Sequence, residues 1–392
     1  MSRGAWLALG LALAAWLPAR ADEAALRRAL QAFDYMALWS DNQHPVPTRK
    51  WLQPIRWRID GRDPAGWRAP ILEAMDRIAK LTGLDIAQAR DGEPENFLFL
   101  FEETSAYFVA GRAAGCYATT RLDPRTPGGI GRAELRINLS QRGALRACIV
   151  HEMMHGFGFP GHPHELDSVL SYTMRREDLT ELDESALRTL YDARVPANFY
   201  HLPALTAARQ VIAERLGLVA KGVPADKLAT AYLDEAVTWL QRAGAAGNVF
   251  ASSQLGNAYW FGHHVAIDAP AALDWWTRAA EAGDSHAAFL LGVAMANGEK
   301  GVAKSEEAAL RWYRMAAARG HASALNNLGL FTERGTATAV DPVEALAHYE
   351  LAAAAGVPIA KANAERLRRT MGADAIARAQ ARAAEIKASF TR

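Results

Sequence analysis

The sequence predicts an α+β domain followed by an all-α solenoid of helical repeats. Between about residues 50 and 195, short apolar alternations typical of strands stand between segments with a helical period. From about residue 205 the chain becomes rich in alanine, and a motif recurs at a fixed step. A chain of 392 residues is also too long for one ordinary domain. We therefore expect one domain over 22–200 and a repeat domain over 205–392.

The N-terminal domain is predicted to combine helices with strands. Helical periodicity covers residues 23–39, and three prolines between residues 42 and 54 indicate an irregular connection. The later elements are a strand over 55–59, an amphipathic helix over 66–84, strands over 97–101 and 134–139, and a helix over 142–157. This order is what an α+β or α/β domain needs to bury one face of a sheet against helices.

The C-terminal domain repeats with a period of 36 or 37 residues. Three Leu-Gly pairs and three pairs containing an aromatic residue recur in phase: Leu255-Gly256, Leu291-Gly292, Leu328-Gly329, Trp275-Trp276, Trp312-Tyr313 and His348-Tyr349. Such a period predicts stacked helix pairs, with the aromatic residues in the core between them. The pattern resembles Sel1-like repeats, relatives of the tetratricopeptide repeat, across roughly 225–360. This resemblance implies a module that binds a protein partner.

The N-terminal segment and the charge limit where the protein acts. Residues 1–21 have the pattern of a signal peptide, with Arg3, an apolar core over 5–17 and a small-residue cleavage site before Asp22. No later segment offers 18 uninterrupted apolar residues. The net charge is +1, without long runs of like charge, so a nucleic-acid or anionic-membrane partner is not expected. We expect an exported protein, periplasmic or secreted.

The chain has two cysteines, Cys116 and Cys148. In an exported protein the default expectation is one disulfide bond between them. Zinc ligation by these residues is the weaker alternative, because neither stands in CxxC spacing.

The candidate metal-binding and catalytic residues lie in a segment that begins at His151. His151 and His155 are one helical turn apart, so both imidazoles project from one face and can hold one metal ion. Glu152 stands beside them, placed to deprotonate a water on that metal. The alternative is an ordinary amphipathic helix with two satisfied histidines. Gly158 then offers a helix stop at positive φ.

Several residues after Gly158 are candidates for a third metal ligand. His162 is the first, between two prolines that define the loop, and His164 and Asp167 follow. Asp167 also suits a role in orienting a ligand imidazole.

The segment from Cys148 to Tyr172 resembles the metzincin metallopeptidases. Their motif reads HExxHxxGxxH or HExxHxxGxxD and is followed by a turn that reads Ser-Val-Met-Ser-Tyr in some branches; here the turn is Ser168-Val169-Leu170-Ser171-Tyr172. Two positions differ. Gly161 stands where the family has its third ligand, and Leu170 replaces the turn methionine, with a similar apolar volume.

The resemblance extends diffusely over residues 50–195. The segment from Leu179 to Tyr191 looks like the closing helix of matrixin-type domains, and the whole region is similar to an uncharacterised family of secreted bacterial metzincin-like domains. It implies a metzincin-like α+β fold and a zinc site. It also implies that Tyr172 stabilises an oxyanion, although a buried aromatic is the alternative.

Together these features predict an exported zinc endopeptidase with a repeat module. Zn²⁺ would be held by His151, His155 and His162, and Glu152 would take the proton of a zinc-activated water that attacks a peptide bond. The alternative is a non-catalytic periplasmic scaffold with a vestigial or structural zinc site. The shifted third ligand and Leu170 favour the scaffold, whereas Glu152 favours the enzyme.

Overall fold

The computed structural model describes residues 22–40, 46–61, 66–104, 107–109, 112–140, 145–163, 166–171, 176–221 and 224–390. The predicted signal peptide therefore lies outside the described residues. Contacts divide the chain into two compact units between Leu233 and Asp234.

A mixed five-stranded sheet organises the first unit. Its order is β2-β1-β3-β7-β6, in which the first four strands are parallel and β6 runs antiparallel to β7. β4 and β5 form a separate antiparallel pair. The strands are β1 (Ile55–Gly61), β2 (Ile86–Gln88), β3 (Phe97–Glu102), β4 (Tyr107–Val109), β5 (Arg112–Ala114), β6 (Cys116–Leu122) and β7 (Ile130–Asn138).

Helices pack against this sheet. The alternating sequence of β3 turns Phe97, Phe99 and Phe101 into the core. The helices of this unit, α1 over 22–37, α2 (Arg68–Thr82), α3 (Leu145–Gly156), α4 (Glu181–Leu190) and α5 (His201–Arg215), bury their apolar residues. A disulfide bond joins Cys116 at the start of β6 to Cys148 in the first turn of α3, which confirms the predicted pairing.

Helix pairs form the rest of the chain. They are α6 (Thr230–Ala245), α7 (Val249–Phe261), α8 (Ala269–Glu281), α9 (Ser285–Asn297), α10 (Glu306–Ala317), α11 (Ala322–Arg334), α12 (Pro342–Ala354), α13 (Pro358–Arg368) and α14 (Ala373–Ala388). From α7 to α13 each helix packs against the next, as a solenoid requires, and α14 packs on α12. The predicted all-helical repeat domain is therefore confirmed.

The repeated glycines and aromatic residues meet in the same way in three repeats. A Cβ atom on Gly256, Gly292 or Gly329 would lie within 2.6 Å of the ring of Trp276, Tyr313 or Tyr349 respectively. Each aromatic ring therefore lies directly on a helix backbone, which only glycine leaves open.

None of the described helices combines the length and the apolar character needed to cross a membrane.

Candidate metal centre

Three imidazoles converge at the C-terminal end of α3. His151 and His155 project from α3, and His162 comes from the loop that follows it. The Nε2 atom of His162 lies 3.0 Å from Nε2 of His151 and 3.0 Å from Nε2 of His155. The Nε2 atoms of His151 and His155 are 3.3 Å apart. All three side chains are half-buried, and they form the one cluster of potential metal ligands found within the described ranges.

Backbone carbonyls orient two of these rings. Nδ1 of His151 lies 2.9 Å from the carbonyl oxygen of Val169, and Nδ1 of His155 lies 2.6 Å from that of Phe159. A carbonyl oxygen can only accept, so each Nδ1 carries the proton and donates it. Each Nε2 then has a lone pair directed into the cluster. This is the tautomer that a metal ligand needs.

The spacing of the three nitrogens fits a small tetrahedral ion. Zinc bonds to imidazole nitrogen at about 2.0–2.1 Å, which places tetrahedral ligand atoms about 3.3–3.4 Å apart. The separations of 3.0–3.3 Å approach this value. Three neutral imidazoles also suit zinc and related transition metals, whereas Mg²⁺ and Ca²⁺ prefer oxygen ligands. The residues present therefore fit Zn²⁺.

Two glycines set the course of the loop that carries His162. Gly158 has φ +99°, and a Cβ atom there would lie 2.1 Å from the carbonyl oxygen of Arg49. At Gly161 a Cβ atom would lie 2.0 Å from the carbonyl oxygen of Tyr35, while its N–H donates to the carbonyl of Met36. The loop is therefore pressed against the end of α1, and only glycine fits there.

This packing accounts for the departure from the metzincin motif. The family's ligand position falls on Gly161, whose backbone contacts α1 and has no room for a side chain. His162, the next residue, joins His151 and His155. The loop thus returns an imidazole one position later than the family does.

The turn after the loop is held by a buried carboxylate. Asp183 is fully buried and accepts hydrogen bonds from the Ser168 hydroxyl at 2.5 Å and from the Val169 N–H at 3.1 Å. Burial raises the pKa of Asp183, and these hydrogen bonds oppose that rise. Leu170, in place of the family's methionine, is completely buried. Asp183 was not among the predicted site residues, although its place three residues after the helix-capping Thr180 is a recognisable signal.

The remaining predicted site residues lie in different places. Glu152 is on α3 with only 8 % of its surface exposed. Asp167, an alternative ligand, forms a salt bridge with Arg176 at 2.6 Å instead of joining the histidines. His164 and Tyr172 lie outside the described residues.

Comparison with known families assigns the two parts of the chain separately. Residues 28–197 match the family described as a protein of unknown function (DUF2927). The Sel1 repeat matches four times, over 219–248, 249–284, 285–321 and 322–357. No curated protein matches.

Three solved structures are similar to parts of this chain. A Sel1 repeat protein from Oxalobacter formigenes is 34% identical, covering 33% of this chain and 96% of its own, with a TM-score of 0.31. A protective antigen of uropathogenic Escherichia coli with an SLR fold is 21% identical, covering 55% and 50%, with a TM-score of 0.29. Cysteine rich protein B of Helicobacter pylori is 19% identical, covering 35% and 97%, with a TM-score of 0.29.

The four family matches confirm the predicted Sel1 repeats. None of the matches concerns a metzincin, so the metzincin resemblance of the first domain stays a prediction.

Proposed function

We propose that this chain, a Sel1-repeat protein, binds one Zn²⁺ ion in its N-terminal domain and a protein partner through its repeats. The observation that carries the zinc proposal is the meeting of His151, His155 and His162 through their Nε2 atoms. Without an ion, the Nε2 lone pairs of His151 and His155 would face each other at 3.3 Å. An ion between them relieves that repulsion.

Beyond zinc binding, we propose that this domain hydrolyses peptide bonds. His151, His155 and His162 would hold a zinc ion with one position left for water, and the ion would lower the pKa of that water to about 7. Glu152 follows the ligand His151 directly, and its burial suits a base shielded from bulk water. We propose that Glu152 accepts the proton of the attacking water and passes it to the leaving amine. Tyr172 is proposed to donate a hydrogen bond to the oxyanion.

The sheet offers a place for an extended substrate beside this helix. β6 is the antiparallel edge strand, and among the described residues its ladder partner is β7. The Cys116–Cys148 disulfide ties the start of β6 to α3, three residues before His151. An extended peptide can add to such an edge through main-chain hydrogen bonds.

A non-catalytic scaffold is the second candidate, and the comparisons favour it over the enzyme. The only matched segment with a recognised role is the Sel1 array, a protein-interaction module. In this alternative the three histidines hold a structural zinc, and partner binding by residues 219–357 is the whole function. A variant that lacks residues 219–357 should then fail to co-purify with any exported protein that co-purifies with the full chain.

Metal content and one substitution separate the candidates. Elemental analysis of protein purified without chelators should find one zinc per chain, and its absence would refute both zinc proposals. Glu152→Gln should keep the zinc and abolish cleavage of a peptide library, whereas exposed Glu181→Gln should leave cleavage unchanged. If zinc is bound but wild-type protein cleaves nothing, the scaffold is the correct function.

We also propose that the protein is exported. The leader pattern of residues 1–21 and the disulfide bond support this proposal, since disulfides persist in oxidising compartments. Sequencing of the mature N-terminus should begin at Asp22. A mature chain that starts at Met1 would contradict export by this route.

A further inference from the structure

The two oxygens of the buried Asp183 carboxylate have different hydrogen-bond partners. Oδ2 accepts from the backbone N–H of Thr180 at 2.8 Å and from that of Val169 at 3.1 Å, and it lies 2.8 Å from the Thr180 hydroxyl. These contacts fix the start of α4. Oδ1 instead accepts from the hydroxyl of Ser168 at 2.5 Å. Backbone N–H groups can only donate, so these hydrogen bonds favour the ionised form of the carboxylate against the effect of burial.

From Oδ1 a continuous chain of hydrogen bonds runs to a zinc ligand. The Ser168 oxygen accepts from the N–H of Leu170 at 3.0 Å. That N–H belongs to the same peptide group as the carbonyl of Val169, which accepts from Nδ1 of His151 at 2.9 Å. The order is therefore imidazole, peptide group, hydroxyl and carboxylate, with each donor directed toward the negative end.

Such a chain polarises each of its members. Hydrogen bonds in series strengthen one another in a protein interior, and a carboxylate at the end draws every proton toward itself. At His151 the result is a more basic Nε2 lone pair and a ring fixed in one tautomer and orientation. Both effects favour metal binding.

The second ligand lacks this support. His155 donates from Nδ1 to the carbonyl of Phe159 at 2.6 Å. The next residue is Pro160, which has no N–H, so this peptide group cannot continue a chain. The carboxylate therefore acts on one of the two helix histidines.

We propose that Asp183 is a positioning residue of the zinc site, which acts on His151 through Ser168 and the Val169–Leu170 peptide group. This inference rests on the proposed zinc binding. It assigns a part of the site to α4, which contributes no ligand of its own.

Two variants test the proposal, because each removes one hydroxyl from the same carboxylate. Ser168→Ala breaks the chain to His151, whereas Thr180→Val removes a cap of α4 and leaves the chain intact. Competition with a chromophoric chelator should show that Ser168→Ala weakens Zn²⁺ binding about 10-fold. Thr180→Val should lower the thermal midpoint of the metal-free protein and keep the wild-type zinc affinity. Equal affinities for Ser168→Ala and wild type would overturn the proposal.

A measurement without zinc distinguishes this proposal from the zinc proposal itself. In metal-free protein labelled with ¹⁵N-histidine, the Nδ1 proton of His151 should resonate further upfield in Ser168→Ala than in wild type. Thr180→Val should leave that resonance in place. If wild type binds no zinc, the proposed function fails even where the resonance moves; if zinc binds and the resonance does not move, only the role of Asp183 fails.

Discussion

Gly161 shows how a single residue decides where a ligand of the proposed zinc site can stand. The sequence reveals that the metzincin ligand position is occupied by glycine, but it gives no reason. The reason is non-local: the loop backbone lies against the carbonyl groups of Tyr35 and Trp39, more than 120 residues earlier in the chain. The same contact carries His162 to the cluster, so the shifted motif still forms a three-histidine site.

His162 is therefore the residue whose loss should most sharply weaken zinc binding without breaking α3. His162→Ala leaves two ligands, and we expect zinc affinity to fall at least about 100-fold. His164→Ala should have little effect, because His162 already supplies the third imidazole. Chelator competition measures both variants. The opposite ranking would show that the third ligand is assigned wrongly.

Asp34 should make the stability of the first unit depend on pH. Its carboxylate accepts from Trp39 at 2.9 Å and from the hydroxyl of Tyr232 at 2.6 Å, and it lies 3.2 Å from Nε2 of His201. Burial acts to raise the pKa of Asp34, but the charge of His201 and the hydrogen bonds lower it by more, so it lies below its ordinary value.

A carboxylate whose pKa is lower in the folded state than in the unfolded state stabilises the fold at pH values above its unfolded pKa. This stabilisation is lost as the pH falls through the pKa of the folded state. Asp34→Asn should therefore lower the free energy of unfolding by roughly 2 kcal/mol near neutral pH. The deficit should shrink as the pH falls below about 4. Urea unfolding at several pH values measures it, and a deficit that stays constant would contradict the assignment.

At the scale of elements, strong periodicity predicted the longer helices of the first domain and the central strands of its sheet. The strands near Ile55 and Phe97 and the helix that carries His151 lie where the pattern placed them. β7 begins at Ile130, four residues before the predicted start of this strand at residue 134, and β2 and β6 were not predicted. Both are edge strands whose side chains are largely exposed, so they lack the apolar alternation that identifies a strand.

The sequence also could not predict the contact between glycine and aromatic ring that occurs in three of the repeats. The sequence shows that both recur at the same step, but only the packing of α9 on α10 brings Gly292 against Tyr313. Residues that recur at the same step indicate a shared structural unit. The recurrence does not show which residues of that unit are in contact.

Gly292→Ala should destabilise the repeats because its Cβ would lie 2.5 Å from the Tyr313 ring. The ring must shift in a filled core, at a cost of about 1–3 kcal/mol. Gly372→Ala is the control, since no atom lies within 4 Å of its added Cβ, and its effect should stay below about 1 kcal/mol. Thermal unfolding followed by circular dichroism compares the two. Equal midpoints would show that the glycine is not required.

For the whole molecule, composition predicted two units but not where one ends. The change to alanine-rich sequence near residue 205 falls inside α5, which buries Leu202, Leu205, Val211 and Ile212. α5 packs against α4 of the first unit. The first Sel1 match begins at residue 219, after this helix. The composition therefore shows where alanine-rich helices begin. The boundary between the two units depends instead on which residues those helices pack against.

A fragment of residues 219–392 should therefore fold alone as an all-α unit. It contains all four Sel1 matches and also α14, which packs on α12 and contributes Ala379 to the core with Tyr349 and Leu367. Repeat arrays use contacts between neighbours, so the first domain is not needed for this core. Circular dichroism should show a helical spectrum and a cooperative thermal transition. A fragment that ends at residue 368 should unfold at a lower temperature, because without α14 the last apolar face is exposed to water. A disordered spectrum for 219–392 would show that the array depends on the first domain.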